Sequence, residues 1–199
     1  MPSSPSRKAD LARLIALPFA HRGLHGPGVP ENSRAAFRAA IAAGHGIELD
    51  VRASGSGAVY VFHDETLERL TDGTGAFLDL TPAALAATRL RGCDEAVPAL
   101  SEALALIAGR VPLLVEVKAP RRRIAPLCAA VEAALAGYEG PVAVMSFNPE
   151  VARWFSAHAP QRLRGLVVTE SGRKGLRGRI ERPLSLWGAR AEPLPPHPH

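Results

Sequence analysis

The chain has 199 residues, 47% apolar and 22% charged, a balance that excludes a disordered or fibrous polymer and fits one globular domain. Its net charge of +5 is localised: residues 162–190 hold eight Lys/Arg against two acids, leaving 16 basic and 17 acidic residues elsewhere. No uniformly basic face is indicated, so nucleic acid is not an expected partner.

Residues 1–13 form a polar, Ser/Pro-rich lead-in without the apolar stretch of a secretory leader. The apolar run 14–20 is read as the first strand; it is far shorter than the ~20 residues of a membrane span, so no transmembrane segment is expected and the cytoplasm is the expected compartment. A helix is predicted over 33–43, capped by Asn32 or Ser33. Strands are predicted over 46–51 and 58–62. The stretch 64–98 exceeds a simple strand-to-helix connection and holds the turn cluster Thr71-Asp72-Gly73-Thr74-Gly75, with a short helix over 83–87 that Thr81 caps and Pro82 opens. Helix 101–108, strand 111–117, helix 124–136, strand 141–146, helix 149–158 and strand 164–168 follow. This alternation of strands and Ala/Leu-rich helices is the pattern of βα units around a parallel sheet. The prolines at 193, 195, 196 and 198 rule out a helix or central strand at the end. The expected division is 1–13 lead-in, 14–170 α/β domain, and 171–199 basic segment with a Pro/His-rich tail.

In Gly46-Ile47-Glu48-Leu49-Asp50-Val51 acidic and apolar residues alternate with period two, which puts Glu48 and Asp50 on one side of the strand. Leu114-Val115-Glu116-Val117-Lys118 does the same for Glu116 and Lys118. Strands of a helix-covered parallel sheet are normally apolar on both faces, so these carboxylates need a compensating partner. A divalent cation is one solution, and an all-oxygen donor set favours Mg²⁺ or Ca²⁺. Internal ion pairs, Glu116 with Lys118 or Asp50 with Arg52, are the other. His21 and His63 each follow a strand, where catalytic groups of α/β sheets collect, and two histidines can share general-acid and general-base duty near neutral pH. Arg22 and Lys118 add cations suited to a phosphate. Cys93 and Cys128 belong to no metal-ligand or redox motif.

The residues His21-Arg22-Gly23, Pro30-Glu31-Asn32-Ser33, Glu48-x-Asp50, His63-Asp64-x-Thr66-Leu67-x-Arg69, Thr71-x-Gly73-x-Gly75, Val97-Pro98-x-Leu100 and Glu116-x-Lys118 occur in the order found in the glycerophosphodiester phosphodiesterases. The chain resembles that family, relatives of the phosphatidylinositol-type phospholipases, from about residue 18 to about 168. The resemblance implies a TIM-barrel-type fold and metal-dependent hydrolysis of glycerophosphodiesters to glycerol 3-phosphate and an alcohol, a step of lipid metabolism. It implies that Glu48, Asp50 and Glu116 hold the cation, that His21 and His63 are the acid/base pair, and that Arg22 and Lys118 bind the phosphate. Glu31 and Asn32 are implied as structural groups beside the site, and Ser146-Phe147 as a pair lining the pocket.

The family's later motifs, a Trp-Thr strand and a final Thr-Asp, are not found after 164–168. The expectation is therefore an incomplete barrel of about six βα units out of eight, read as a truncated copy, with self-association through its exposed edges. Two alternatives follow: an inactive remnant, or a phospholipase of the same superfamily acting on lipid surfaces.

Overall fold

The computed structural model describes residues 7–119 and 124–168. Their order is α1 (Arg7–Leu14), β1 (Phe19–Ala20), α2 (Arg34–Ala42), β2 (Gly46–Ala53), β3 (Val59–Val61), α3 (Pro82–Ala87), α4 (Leu100–Ile107), β4 (Leu113–Val117), α5 (Ile124–Leu135), β5 (Val142–Ser146), α6 (Pro149–His158) and β6 (Leu163–Leu166). Residues 1–6 of the expected lead-in and the expected basic segment and tail at 171–199 lie outside the described residues.

The sheet runs β1-β2-β4-β5-β6 with every pairing parallel, and β3 lies antiparallel against the end of β2. Among the described residues this is the expected α/β class, with six strands in a TIM-barrel-type sheet. The third strand departs from the expectation. It is not a further βα unit, because the turn 54–57 is too short for a crossover and folds β3 back on β2 as a hairpin. Among the described residues, β1 and β6 are each paired on one side only.

The first strand is also shorter than the expected 14–20. Only Phe19 and Ala20 find partners, in Gly46 and Ile47, while Leu14 is buried at the end of a helix that runs back through lead-in residues 7–13. The helix starts fall where cap chemistry places them. Ser33 Oγ accepts from Ala36 N, Thr81 Oγ1 from Ala84 N ahead of Pro82, and Asn148 Oδ1 from Glu150 N ahead of Pro149. At α4 the Glu102 carboxylate reaches back to Ala99 N at 2.7 Å.

Two apolar clusters follow from this order. In the first, Ile47, Leu49 and Val51 of β2 and Leu113, Val115 and Val117 of β4 pack beneath Phe37, Ile107, Val131 and Phe155 of the helices. Each fully buried side chain of this size contributes about 1.5–3 kcal/mol. The second cluster belongs to the long segment after β3: Phe62, Leu67, Leu70, Phe77, Leu85, Leu90 and Val97, with Phe62 and Phe77 stacked at 4.9 Å. That segment is therefore a small packed unit seated beside the strand ends. No helix among the described residues is long and apolar enough to cross a membrane.

Candidate active site

Because alternate residues of β2 and β4 feed the first core, the intervening ones face the other way, as the period-two reading expects. The parallel register sets Asp50 beside Glu116. Glu48, Asp50 and Glu116 are all buried, at 4%, 0% and 5% exposure, and bring one oxygen each within 4.8 Å of one another. At an effective dielectric of ~20, unit charges at that distance repel by about 3–4 kcal/mol per pair.

Two cations answer them. Lys118 Nζ donates to Glu116 Oε1 and lies 3.0 Å from Asp50 Oδ1. Arg22 donates its backbone N–H to Glu48 Oε2 at 2.9 Å, and its Nε sits 3.1 Å from Asp50 Oδ2. Two positive charges against three negative ones leave the cluster short. Glu48 Oε1 and Asp50 Oδ1 are buried and accept no hydrogen bond, the Lys118 ammonium approaching Asp50 off the bonding direction. Burial, then the charge of Asp50, pushes the Glu48 carboxyl up to about 7. Buried oxygens with unused lone pairs, all from carboxylates, fit a hard divalent cation. Of the two ion pairs weighed from sequence, Glu116 with Lys118 forms. Asp50 with Arg52 does not, because Arg52 Nε donates to the His63 carbonyl at 2.7 Å.

The 21–33 loop supplies the next layer. Arg22 and Asn32 both take left-handed backbone, with φ of 57° and 58°, a conformation that costs a non-glycine residue and collects at functional sites. The Asn32 N–H closes the loop on the Arg22 carbonyl at 2.9 Å. Gly23, also at positive φ, lets this loop lie on α2, where a Cβ would meet Ala36 Cβ at 2.8 Å. Ser33, not Asn32, caps α2. Asn32 instead grips Asp50 twice, Nδ2 donating to Oδ2 at 3.0 Å and Oδ1 accepting the Asp50 N–H at 3.3 Å.

The two histidines stand at the rim. His21 Nε2 is 3.9 Å from Glu48 Oε2, with its side chain 67% exposed; partial burial and then the Arg22 charge lower its pKa. His63 Nδ1 bonds Asp64 Oδ1 at 2.6 Å, which fixes Nδ1 as the protonated nitrogen and turns Nε2 outward. His63 follows the antiparallel β3, not a parallel strand as the sequence suggested. Hydrogen bonds from Arg69, opposed by burial and reinforced by His63, hold Asp64 down at about 2. Arg69 also bonds Glu31, and Glu31 accepts from Arg22 Nη1 at 2.8 Å.

All seven residues singled out from the sequence thus lie at one end of the sheet. Glu31 and Arg69, which the motif reading left without a role in the chemistry, join them in one network. For Asn32 the local signal is two cap candidates in a row, of which only Ser33 is needed to cap α2. Ser146 is structural, donating to the Val117 carbonyl at 2.7 Å. Phe147 is 52% exposed, with Lys118 Nζ 5.7 Å from its ring centre.

A family model described as the glycerophosphoryl diester phosphodiesterase family matches residues 21–174. The chain belongs to this family. Human glycerophosphodiester phosphodiesterase 1 is 42% identical over 96 residues, 44% of this chain and 29% of that protein. A glycerophosphodiester phosphodiesterase of Caldanaerobacter subterraneus is 48% identical over 66 residues, 33% of this chain and 27% of that protein. The aligned parts thus span under a third of these curated relatives. Among solved structures, an Oleispira antarctica phosphodiesterase in complex with the product sn-glycerol-3-phosphate superposes with a TM-score of 0.73 at 30% identity, over 84% of this chain and 72% of that one. A glycerophosphodiester phosphodiesterase of Agrobacterium tumefaciens gives 0.63 at 32% identity, over 73% and 64%. The expected family and fold are borne out.

The raised Glu48 pKa makes a stability prediction. Between about pH 4.5 and 7 the folded chain without metal keeps a proton that the unfolded chain has lost, so its stability falls as pH rises through that window, by up to about 3 kcal/mol. His21, with its lowered pKa, pulls the opposite way, so the comparison is with Glu48→Gln. In EDTA, Tm from pH 5 to 7.5 should drop more for the native chain than for Glu48→Gln, and Mg²⁺ or Ca²⁺ should remove the difference. Equal slopes in EDTA would contradict the assignment.

Proposed function

We propose that this chain hydrolyses glycerophosphodiesters to glycerol 3-phosphate and an alcohol, with Glu48, Asp50 and Glu116 holding a divalent cation, Mg²⁺ or Ca²⁺. The observation that carries the reading is the buried carboxylate trio with two unbonded oxygens, flanked by two histidines and two cations at one end of the sheet. The relative holding sn-glycerol-3-phosphate supports the product class. When bound, the cation supplies Lewis-acid polarisation of a phosphoryl oxygen.

The chain's own residues do the rest. Arg22 and Lys118 offset the negative charge of the phosphate at the trio. Arg22 is held for this by Glu31 at Nη1 and by its backbone bond to Glu48. His21 and His63 share the proton transfers: one takes the proton of the attacking water, or of a glycerol hydroxyl whose cyclic phosphate a water then opens, and the other protonates the leaving alkoxide as the P–O bond breaks. His63 is set for this by Asp64, which keeps the proton on Nδ1 and presents Nε2. Cys93 and Cys128 are both free thiols, in keeping with a reducing cytoplasm. Among the described residues β1 and β6 are each paired on one side only, which supports self-association by strand pairing.

The deciding assay is release of glycerol 3-phosphate from glycerophosphocholine and glycerophosphoethanolamine in EDTA, Mg²⁺ or Ca²⁺. Release should need the cation and fall roughly 100-fold or more in Glu48→Ala. No release by a folded chain would overturn the reading in favour of an inactive remnant, and activity only on lipid vesicles would favour a phospholipase. In size exclusion with light scattering the chain should run heavier than a monomer, and a strict monomer at all concentrations would contradict edge pairing.

A further inference from the structure

Arg69 lies outside the groups given roles above, yet it touches the partners of two of them. Its Nε and Nη2 donate to Asp64 Oδ2 and Oδ1 at 2.5 and 2.8 Å. Its Nη1 and Nη2 donate to Glu31 Oε2 and Oε1 at 2.9 and 2.8 Å. Asp64 Oδ1 is the atom bonded to His63 Nδ1, and Glu31 Oε1 is the atom that accepts from Arg22. We propose that Arg69 is a positioning residue: one guanidinium, clamped on two carboxylates, sets the orientation of both the proton-transferring His63 and the phosphate-facing Arg22. The inference rests on the proposed function for the roles of those two residues, and on geometry alone for the coupling.

A surface ion pair would not carry this weight, since exposed pairs contribute ~0–1 kcal/mol and hold no fixed geometry. Here the fork is bidentate on both sides, an arrangement that a lysine cannot reproduce. Both acceptors are largely covered, with side-chain exposures of 11% for Glu31 and 20% for Asp64. The root of Arg69 is also fixed. Its neighbours Leu67 and Leu70 are in the second apolar cluster, the turn closes through Leu70 N and Thr71 N on the Leu67 carbonyl, and Arg91 ties the Glu68 carbonyl with two hydrogen bonds. The packed segment after β3 thus reaches the site through this side chain. The backbone of His63 is held separately, by Arg52 at its carbonyl, so loss of Arg69 should release the imidazole ring and not the strand end.

The test uses the full chain with Arg69→Gln and Arg69→Lys, and reads the His63 ring nitrogens by long-range ¹H–¹⁵N NMR at fixed pH 8, assigned with His63→Gln. The native chain should show the Nδ1-protonated tautomer, and both variants should lose that preference. In the glycerophosphocholine assay kcat should fall about 10–100-fold in both. Lysine keeps the charge but not the fork, so a native His63 signal and native rate in Arg69→Lys would overturn the proposal, as would unchanged His63 signals in a folded Arg69→Gln. Failure of both variants to fold would also count against it, because the proposal puts Arg69 outside the core. A tautomer change in a chain whose native form releases no glycerol 3-phosphate would support the coupling and sink the functional reading instead.

Discussion

Carboxylates brought within 4.8 Å of one another inside a protein repel strongly, and β2 and β4 bring three of them there. The parallel register that sets Asp50 beside Glu116 also drives Leu49, Val51, Val115 and Val117 into the helix-covered core. The favourable packing and the unfavourable charge cluster are therefore two sides of the same strands, and neither can be relaxed by sliding a strand one residue without exchanging the faces. The fold is committed to presenting these oxygens, and the surrounding residues are arranged to make that tolerable.

That arrangement is layered. Lys118 and the Arg22 backbone approach the carboxylates directly, Asn32 orients Asp50 from a strained left-handed position, and Glu31 ties Arg22 in turn. Arg69 then joins this group to Asp64 and His63. The sequence of charges along the network alternates in sign, so each group is stabilised by its neighbours while the innermost carboxylates are left one positive charge short. A hard divalent cation would more than make up that deficit.

Much of the site is local in origin, which is why it is legible in the sequence. Glu48-x-Asp50 and Glu116-x-Lys118 declare their shared face through the two-residue period of a strand, and the cap residues at 33 and 81 mark helix starts by chemistry confined to four residues. The reading weakens where a partner decides. Residues 14–20 are apolar enough for a strand, but only the two opposite Gly46 and Ile47 have anything to pair with. The antiparallel turn of β3 is set by hairpin geometry, and hydrophobic pattern carries no strand direction. The contact between Arg69 and Glu31 spans 38 residues and exists only once the segment after β3 has packed. Asn32 looks like a cap because cap and carboxylate ligand use the same side-chain amide, and only the fold shows which partner it takes.

The central claim is that the trio is completed by a divalent cation, and the most direct measurement is calorimetric titration of the metal-free chain with Mg²⁺ or Ca²⁺ near pH 6.5 in buffers of different ionisation enthalpy. The account predicts one ion per chain, taken up with net proton release because Glu48 must ionise, and loss of binding in Asp50→Asn. No uptake by the folded chain, or uptake that Asp50→Asn leaves unchanged, would contradict it.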